Sequence, residues 1–254
     1  MDITDRHEMI LQKLKEEGRV KINDLIEWLN VSGVTIRKDL KLLEDKKLLF
    51  RTHGGASSSN PYMNERTIDE KEQINAEAKQ KIGKAALGLI KESDSVIVGS
   101  GTTVYTFANM LHPLRQMTVI TPAVKVTLAL CSRPNIEIVQ LGGTIRPNSS
   151  SVAGRTAENT LEEISSGILF LGVDGIDLDF GLSITNLAEA SLNKKMIESA
   201  QVLVVLADSS KFGKRGLGKV CGLEQVHYIV TDAHVPPAVV KDLEGRDINV
   251  IIAD

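Results

Sequence analysis

Seven short apolar runs occupy the last two-thirds of the chain: Ser95–Val98, Met117–Thr121, Ile136–Leu141, Ile168–Val173, Val202–Ala207, Val226–Val230 and Ile248–Ile252. They are rich in valine and isoleucine, and stretches of helical periodicity separate them. A strand that is apolar along its whole length is buried on both faces, and intervening helices favour parallel pairing. The pattern predicts a doubly wound α/β layer structure. In such sheets ligands sit beyond the carboxyl ends of the strands, so the loops after these runs are the ones to inspect.

The first fifty-odd residues have a different texture, with helical periodicity and no strong β-run. Met9, Ile10, Leu11 and Leu14 form the apolar side of a first helix that Gly18 ends. Ile22, Leu25, Ile26 and Leu29 give a short second helix, and Asn30-Val31-Ser32-Gly33 is a turn with Ser32 placed to cap a third. Leu48-Leu49-Phe50-Arg51 reads as a short strand before His53-Gly54-Gly55. The small, polar Ala56-Ser57-Ser58-Ser59-Asn60-Pro61 reads as a connection. The expected organisation is a small N-terminal domain over 1–57, a linker over 58–72 and a larger α/β domain over 73–254.

A chain of 254 residues has room for one small and one medium domain. It is 42% hydrophobic and 25% charged, as soluble globular chains are. No apolar run approaches the roughly 18 residues of a membrane span, and the polar start Met1-Asp2-Ile3-Thr4 is unlike a secretion signal. A cytoplasmic protein without a membrane partner is expected. Cys131 and Cys221 lie far apart without metal-ligand spacing, so they read as free thiols, and neither a metal nor a cofactor is expected.

The charge is unevenly placed. From Ser32 to Ser58, Arg37, Lys38, Lys41, Lys46, Lys47 and Arg51 oppose Asp39, Glu44 and Asp45, in a chain of formal net charge −3. On the third helix, Gly33 to Lys46, Ile36, Leu40 and Leu43 fall on one side at 100° per residue. Val34, Lys38 and Lys41 point the other way, flanked by Thr35 and Arg37. Arg and Lys donate to guanine edges and phosphates, while valine and threonine methyls meet thymine methyls, so this face suits a DNA major groove. With the second helix and turn it makes a helix-turn-helix layout. A hairpin ending in Arg51-Thr52-His53-Gly54-Gly55 would lay a guanidinium and backbone N–H groups along phosphates. The DNA-contacting set is thus Ser32, Val34, Thr35, Arg37, Lys38, Lys41, Arg51 and His53.

In the larger domain the most informative loop is Val98-Gly99-Ser100-Gly101-Thr102-Thr103, which follows a strand and opens a helix. Glycine lets a ligand approach the backbone, hydroxyls add donors, and a helix N-terminus presents N–H groups to an anion. Gly142-Gly143, Asp174 and Lys211 lie in later loops after strands, and Glu189 lies on a helix. The candidate effector-binding residues are Ser100, Gly101, Thr102, Thr103, Gly142, Gly143, Asp174, Glu189 and Lys211.

Gly18-Arg19-Val20, Val31-Ser32, Thr35-Ile36-Arg37-Lys38-Asp39-Leu40, Leu43-Glu44 and Arg51-Thr52-His53-Gly54-Gly55-Ala56 closely resemble the DeoR family of bacterial transcription regulators. Lys38 stands where that family often has a second arginine, and Gly33 where a bulkier polar residue is common. From about Glu65 onward the chain resembles the sensor domain of the same family. That resemblance implies a fold akin to ribose-5-phosphate isomerase and a sugar phosphate or related effector. It places Ser100, Gly101, Thr102, Thr103 and Lys211 at the phosphate, with Asp174 and Glu189 facing the polar body of the ligand. Gly99, where the family has aspartate, and Thr121-Pro122-Ala123, where it has threonine-asparagine-serine, depart from the pattern.

The function expected is a repressor of a sugar or carbohydrate operon, acting on an operator as a homodimer or homotetramer. A sugar-phosphate isomerase would need a carboxylate poised over a C–H bond. Asp174, Glu189 and Lys211 could be cast for that, but the N-terminal reading module and the missing acid at Gly99 argue against an enzyme. A third class, a nucleic-acid-binding protein with a purely structural C-terminal domain, would give no thermal shift with phosphorylated metabolites.

Overall fold

A computed structural model describes residues 2–46, 48–52, 54–58, 67–90 and 95–254. They fall into two compact units, one within Met1–Asn64 and the other within Glu65–Asp254.

The first unit begins with α1 (Ile3–Glu17), which Asp2 caps and Gly18 ends. There follow β1 (Arg19–Lys21), α2 (Ile22–Leu29), α3 (Gly33–Asp45), β2 (Phe50–Thr52) and β3 (Gly55–Ser57). Ile10, Leu14, Leu25, Leu29, Ile36, Leu40 and Leu43 close one small core. Each such side chain contributes about 1.5–3 kcal/mol by leaving water, which fixes the opposite face of α3 outward. The three strands form an antiparallel sheet in the order β1-β3-β2. The sequence pattern showed only a hairpin. A three-residue β1 carries no readable periodicity, and it forms because Val20 is buried opposite Ala56. Gly55 makes the pairing possible, since a Cβ there would lie 1.8 Å from the Val20 carbonyl oxygen.

The second unit opens with α4 (Ile68–Gln73) and α5 (Ala76–Leu87), separated by Asn75 in the left-handed region at φ 55°. The linker expected over 58–72 therefore ends earlier. Thr67 and Glu70 form a reciprocal capping box that starts a helix where connection was expected. Residues 59–66 of that linker lie outside the described residues.

The chain then runs β4 (Ser95–Val98), α6 (Thr102–Asn109), β5 (Met117–Thr121), α7 (Val124–Leu130) and β6 (Ile136–Gln140). A hairpin of β7 (Thr144–Arg146) and β8 (Ser151–Ala153) precedes α8 (Arg155–Glu162) and β9 (Ser166–Leu171). Next come β10 (Gly175–Asp177), β11 (Gly181–Ile184), α9 (Leu187–Glu198), β12 (Ala200–Leu206) and β13 (Gly218–Cys221). The unit ends with β14 (Tyr228–Asp232), α10 (Pro237–Glu244) and β15 (Asn249–Ala253).

All seven apolar runs enter one seven-stranded sheet in the order β15-β14-β12-β9-β4-β5-β6. Every pairing in it is parallel. Ile82, Phe107 and Val126, from α5, α6 and α7, pack with Val98, Phe170 and Val204 on one face. Leu161, Met196 and Leu243, from α8, α9 and α10, pack with Ile97, Leu169 and Leu203 on the other. From β4 the chain winds one way to β6, and from β9 it winds the other way to β15. The order reverses between β4 and β9, which is where such sheets open a crevice. The antiparallel sheet β10-β11-β13 and the β7-β8 hairpin are additions that the apolar pattern did not announce.

Candidate functional site

The N-terminal unit presents α3 as an open face. The Ser32 hydroxyl accepts from the Thr35 amide at 3.2 Å and caps the helix. Val34 is 75% exposed, and Arg37, Lys38 and Lys41 are exposed beside it. The one acidic residue within this run, Asp39, is turned inward. Its carboxylate takes Arg6 Nε at 2.6 Å, Arg6 Nη2 at 3.1 Å and His7 Nε2 at 3.2 Å. Burial pushes the Asp39 carboxyl up, but the hydrogen bonds from Arg6 and His7 more than offset it and hold it below its ordinary value. The exposed face is therefore more basic than the residue count suggests.

Gly33 leaves space for Arg37. A Cβ at Gly33 would lie 3.2 Å from Arg37 Nη1 and 3.2 Å from Ile26 Cδ1. In the hairpin, Arg51 is exposed and its amide donates to Glu44 Oε1 at 3.0 Å. Its guanidinium stands 3.7 Å from the same carboxylate, which ties the strand to the end of α3. His53 lies outside the described residues.

In the C-terminal unit a cleft opens at the carboxyl ends of β4, β9 and β12, where the strand order reverses. It holds about 560 Å³ of non-protein space, counting its open mouth. Ser100, Gly101, Thr102, Thr103, Asp174, Glu189 and Lys211 all line it. Gly101 stands at φ 106° and swings the chain from β4 into α6, so the first N–H groups of that helix face the cleft. Ser100, Thr102 and Thr103 are 9%, 7% and 6% exposed. Their hydroxyls donate no hydrogen bond to another described residue, and Lys211 makes no ion pair with one. This part of the cleft presents hydrogen-bond donors.

The cleft also holds two acids. Asp174 Oδ2 accepts the Thr185 amide at 2.9 Å and its hydroxyl at 2.8 Å, while Oδ1 faces Lys71 Nζ at 3.3 Å. Burial raises the Asp174 carboxyl, but Lys71, Lys211 and the Thr185 bonds outweigh it and hold the group below the usual carboxylate range. Glu189 Oε1 forms an ion pair with Arg146 Nη1 at 2.8 Å and accepts hydrogen bonds from Ser151 Oγ at 3.2 Å and from the Ser149 hydroxyl.

The loop bearing Lys211 is held by two buried aspartates. Asp208 Oδ1 accepts the Ser210 amide at 3.0 Å, and Asp232 Oδ2 accepts the Ser209 amide at 2.7 Å. Among the described residues no cluster of histidine, cysteine or carboxylate has metal-site geometry.

The DeoR-like helix-turn-helix domain matches residues 6–61, and the DeoR C terminal sensor domain matches residues 74–233. The chain belongs to the DeoR family. A protein named as an aga operon transcriptional repressor, from Escherichia coli O157:H7, is 35% identical over 98% of this chain and 93% of its own length. A GlpR transcriptional regulator from Haloferax volcanii is 30% identical over 97% of this chain and 96% of its own. The glycerol-3-phosphate regulon repressor of Escherichia coli K12 is 27% identical over 98% of both chains. These DeoR relatives carry the names of regulators, not of enzymes. Ribose 5 phosphate isomerase A from Neisseria gonorrhoeae aligns over 54% of this chain and 53% of its own, with TM-score 0.39 and 18% identity.

Within this DeoR-family chain, two expected effector residues stand apart from the cleft. Gly142 and Gly143 are not among its lining residues. They lead into the β7-β8 hairpin, and Gly143, at φ 141°, turns the chain there. The loop after β6 thus serves the hairpin, whose tip brings Asn148 and Ser149 into the cleft. Gly99 and the Thr121-Pro122-Ala123 run also lie outside the lining. The Pro122 carbonyl accepts the Val152 amide at 2.9 Å, beneath the hairpin.

The sequence reading missed Ile68, Lys71, Asn148 and Ser149. Thr67 with Glu70 three residues later was the available signal that 68–73 is a helix with a face to place. Nothing local marks Asn148 and Ser149, which arrive through hairpin geometry.

Proposed function

We propose that this DeoR-family chain is a DNA-binding transcription regulator, a repressor of a carbohydrate operon, whose operator affinity is set by a phosphorylated sugar or related metabolite in the C-terminal cleft. The observation that carries the ligand class is the cradle of Ser100, Thr102 and Thr103, nine-tenths buried, whose hydroxyls donate to no other described residue, beside Lys211, which makes no ion pair among the described residues. Hydroxyls and helix N–H groups held in place around an open cleft are oriented to donate, so the cradle favours an occupant made of acceptors. A phosphate group supplies three strong acceptor oxygens and negative charge. Asp174 and Glu189 accept hydroxyl protons from the rest of such a ligand. The relatives named for the aga operon and the glycerol-3-phosphate regulon support a carbohydrate setting.

On DNA, α3 enters the major groove. Ser32 caps it, Arg37, Lys38 and Lys41 reach base edges or phosphates, and Val34 and Thr35 meet thymine methyls. Arg51 and His53 lie along the backbone, where contacts position without specifying. A homodimer, alone or within a homotetramer, sets two such helices about 34–36 Å apart on successive half-sites. The setting is the cytoplasm, and no helix of the described residues is long and apolar enough to cross a membrane.

Fluorescence anisotropy with DNA from upstream of the chain's own coding region tests this. Sugar phosphates should shift the affinity roughly 5- to 150-fold, and the parent sugars should not. Equal effects of phosphorylated and unphosphorylated sugars would remove the phosphate from the reading.

A further inference from the structure

Part of the cleft's lining comes from outside the doubly wound sheet. Helix α4 supplies Ile68 and Lys71 to the lining, and it is the first element after the segment joining the two units. Its two ends are held differently. At the C-terminal end, the buried Lys79 ammonium donates to the Lys71 and Ile74 carbonyls, and Asn75 Nδ2 donates to Asp208 Oδ1 at 3.0 Å. Asp208 also orders the Lys211 loop, so this end is fixed to the frame of the cleft.

At the N-terminal end, the Ile68 amide donates to the Asn148 carbonyl at 2.7 Å. Lys125 bridges to Asp69, in the first turn, at 2.6 Å and to Glu72, near the other end, at 3.2 Å. Asp69 is largely exposed, and an exposed ion pair contributes little to stability. The end nearer the connecting segment is thus held to the hairpin tip and by its own capping box, apart from the frame that holds the other end.

Lys71 lies between these ends, with its ammonium on Asp174. We propose that Lys71 is a ligand-contacting residue, that it exchanges Asp174 for the anionic group of the occupant, and that α4 thereby carries occupancy to the connecting segment. This rests on the reading of the cleft as an anion site. The exchange has a physical direction. Asp174 keeps both Thr185 hydrogen bonds when Lys71 leaves. A phosphate group carries about −1.5 to −2 charge at neutral pH, against −1 for the carboxylate. Lys211 also lines the cleft and acts on Asp174 electrostatically, so it attracts the same anion.

Hydrogen exchange on the full chain, with inorganic phosphate against chloride at matched ionic strength, tests the proposal. The amides of residues 100–104 should be protected, and those of 68–73 should change by about fivefold or more. In Lys71→Met, phosphate should bind roughly tenfold more weakly. At saturating phosphate, protection of 100–104 should return while 68–73 stays silent, and Lys71→Arg should restore both. Protection at 100–104 with no response at 68–73 in the wild type would overturn the role of α4 and leave the anion site standing. So would an undiminished α4 response in Lys71→Met. No effect of phosphate at 100–104 would overturn both. The wild-type comparison decides between these even if a variant fails to fold.

Discussion

The two units hold their polar groups in opposite states. Among the described residues of the N-terminal unit the buried charges are matched: Asp39 is closed off by Arg6 and His7, and Arg37, Lys38, Lys41 and Arg51, on α3 and the hairpin, face water. In the C-terminal unit Asp208, Asp232 and the Thr185 bonds order the loops around the cleft, but the Ser100, Thr102 and Thr103 hydroxyls that line it donate to no other described residue. Water already solvates the α3 face, so it gains from a partner mainly by geometry and charge. The cleft holds several donors close together on largely buried residues, so one small ligand made of acceptors can engage them at once. A regulator needs both: a reading face that is always presented, and a switch site that is incomplete alone.

Removing Asp39 breaks the matched half most severely. Asp39→Ala should cost the N-terminal unit about 3 kcal/mol, because Arg6 is left largely buried without its partner. Chemical denaturation followed at Trp28, which lies in α2 of this unit, reads the loss. The sign with pH follows from the lowered carboxyl. Its contribution is fully present above the ordinary value of 3.8 and is lost as pH falls through the lower folded value. A denaturation midpoint for the N-terminal unit that Asp39→Ala leaves unchanged would show that this charge is not matched in solution.

The unmatched half is broken at Lys211. Lys211→Met should weaken a phosphorylated ligand by about 10- to 100-fold, as the loss of a charge-assisted hydrogen bond does. The same variant should hold operator DNA without ligand as the wild type does. Titration calorimetry with sugar phosphates reads the first, and anisotropy the second. A weaker ligand together with weaker ligand-free DNA binding would mean that the units are not separable in this way.

This contrast also explains what was legible in the sequence. Ile36, Leu40 and Leu43 declare the buried side of α3 by spacing alone, so the open side follows by elimination. The seven sheet strands are legible because each is apolar throughout. The cleft is half legible. Ser100 to Thr103 are contiguous and follow a strand, whereas Lys71, Asn148 and Ser149 reach the cleft from three-dimensional placement. Gly142 and Gly143 mislead because a glycine pair after a strand looks alike whether it admits a ligand or turns a hairpin. The inward turn of Asp39 is invisible to a residue count, since its partner Arg6 lies on another helix.

At the reading face the effects are smaller and concern which sequences are bound. Arg37→Ala should cost about 1–3 kcal/mol on the operator and relax preference at one base pair, while a random fragment loses little. Gly33→Ala offers a finer version. The new Cβ would crowd Nη1 and shift the guanidinium without removing it, so preference should change more than affinity. Selection from randomised half-sites checks both, and an unchanged preference in Arg37→Ala would place that side chain on phosphate.

The smallest effect is expected where the two kinds of group meet. Arg51 is exposed, but Glu44 holds both its amide and, loosely, its guanidinium. Glu44 thus orients Arg51 and competes with DNA phosphates for it. Arg51→Ala should weaken every sequence alike and flatten the slope of log affinity against log salt by about one unit. Glu44→Gln keeps a hydrogen-bonding side chain but removes the competing charge, so it should tighten binding slightly to all sequences and leave that slope intact. Measured together, the pair separates orientation from competition. If Glu44→Gln weakens binding as much as Arg51→Ala does, the carboxylate serves by placing the hairpin, and the reading face is less open than its exposure indicates.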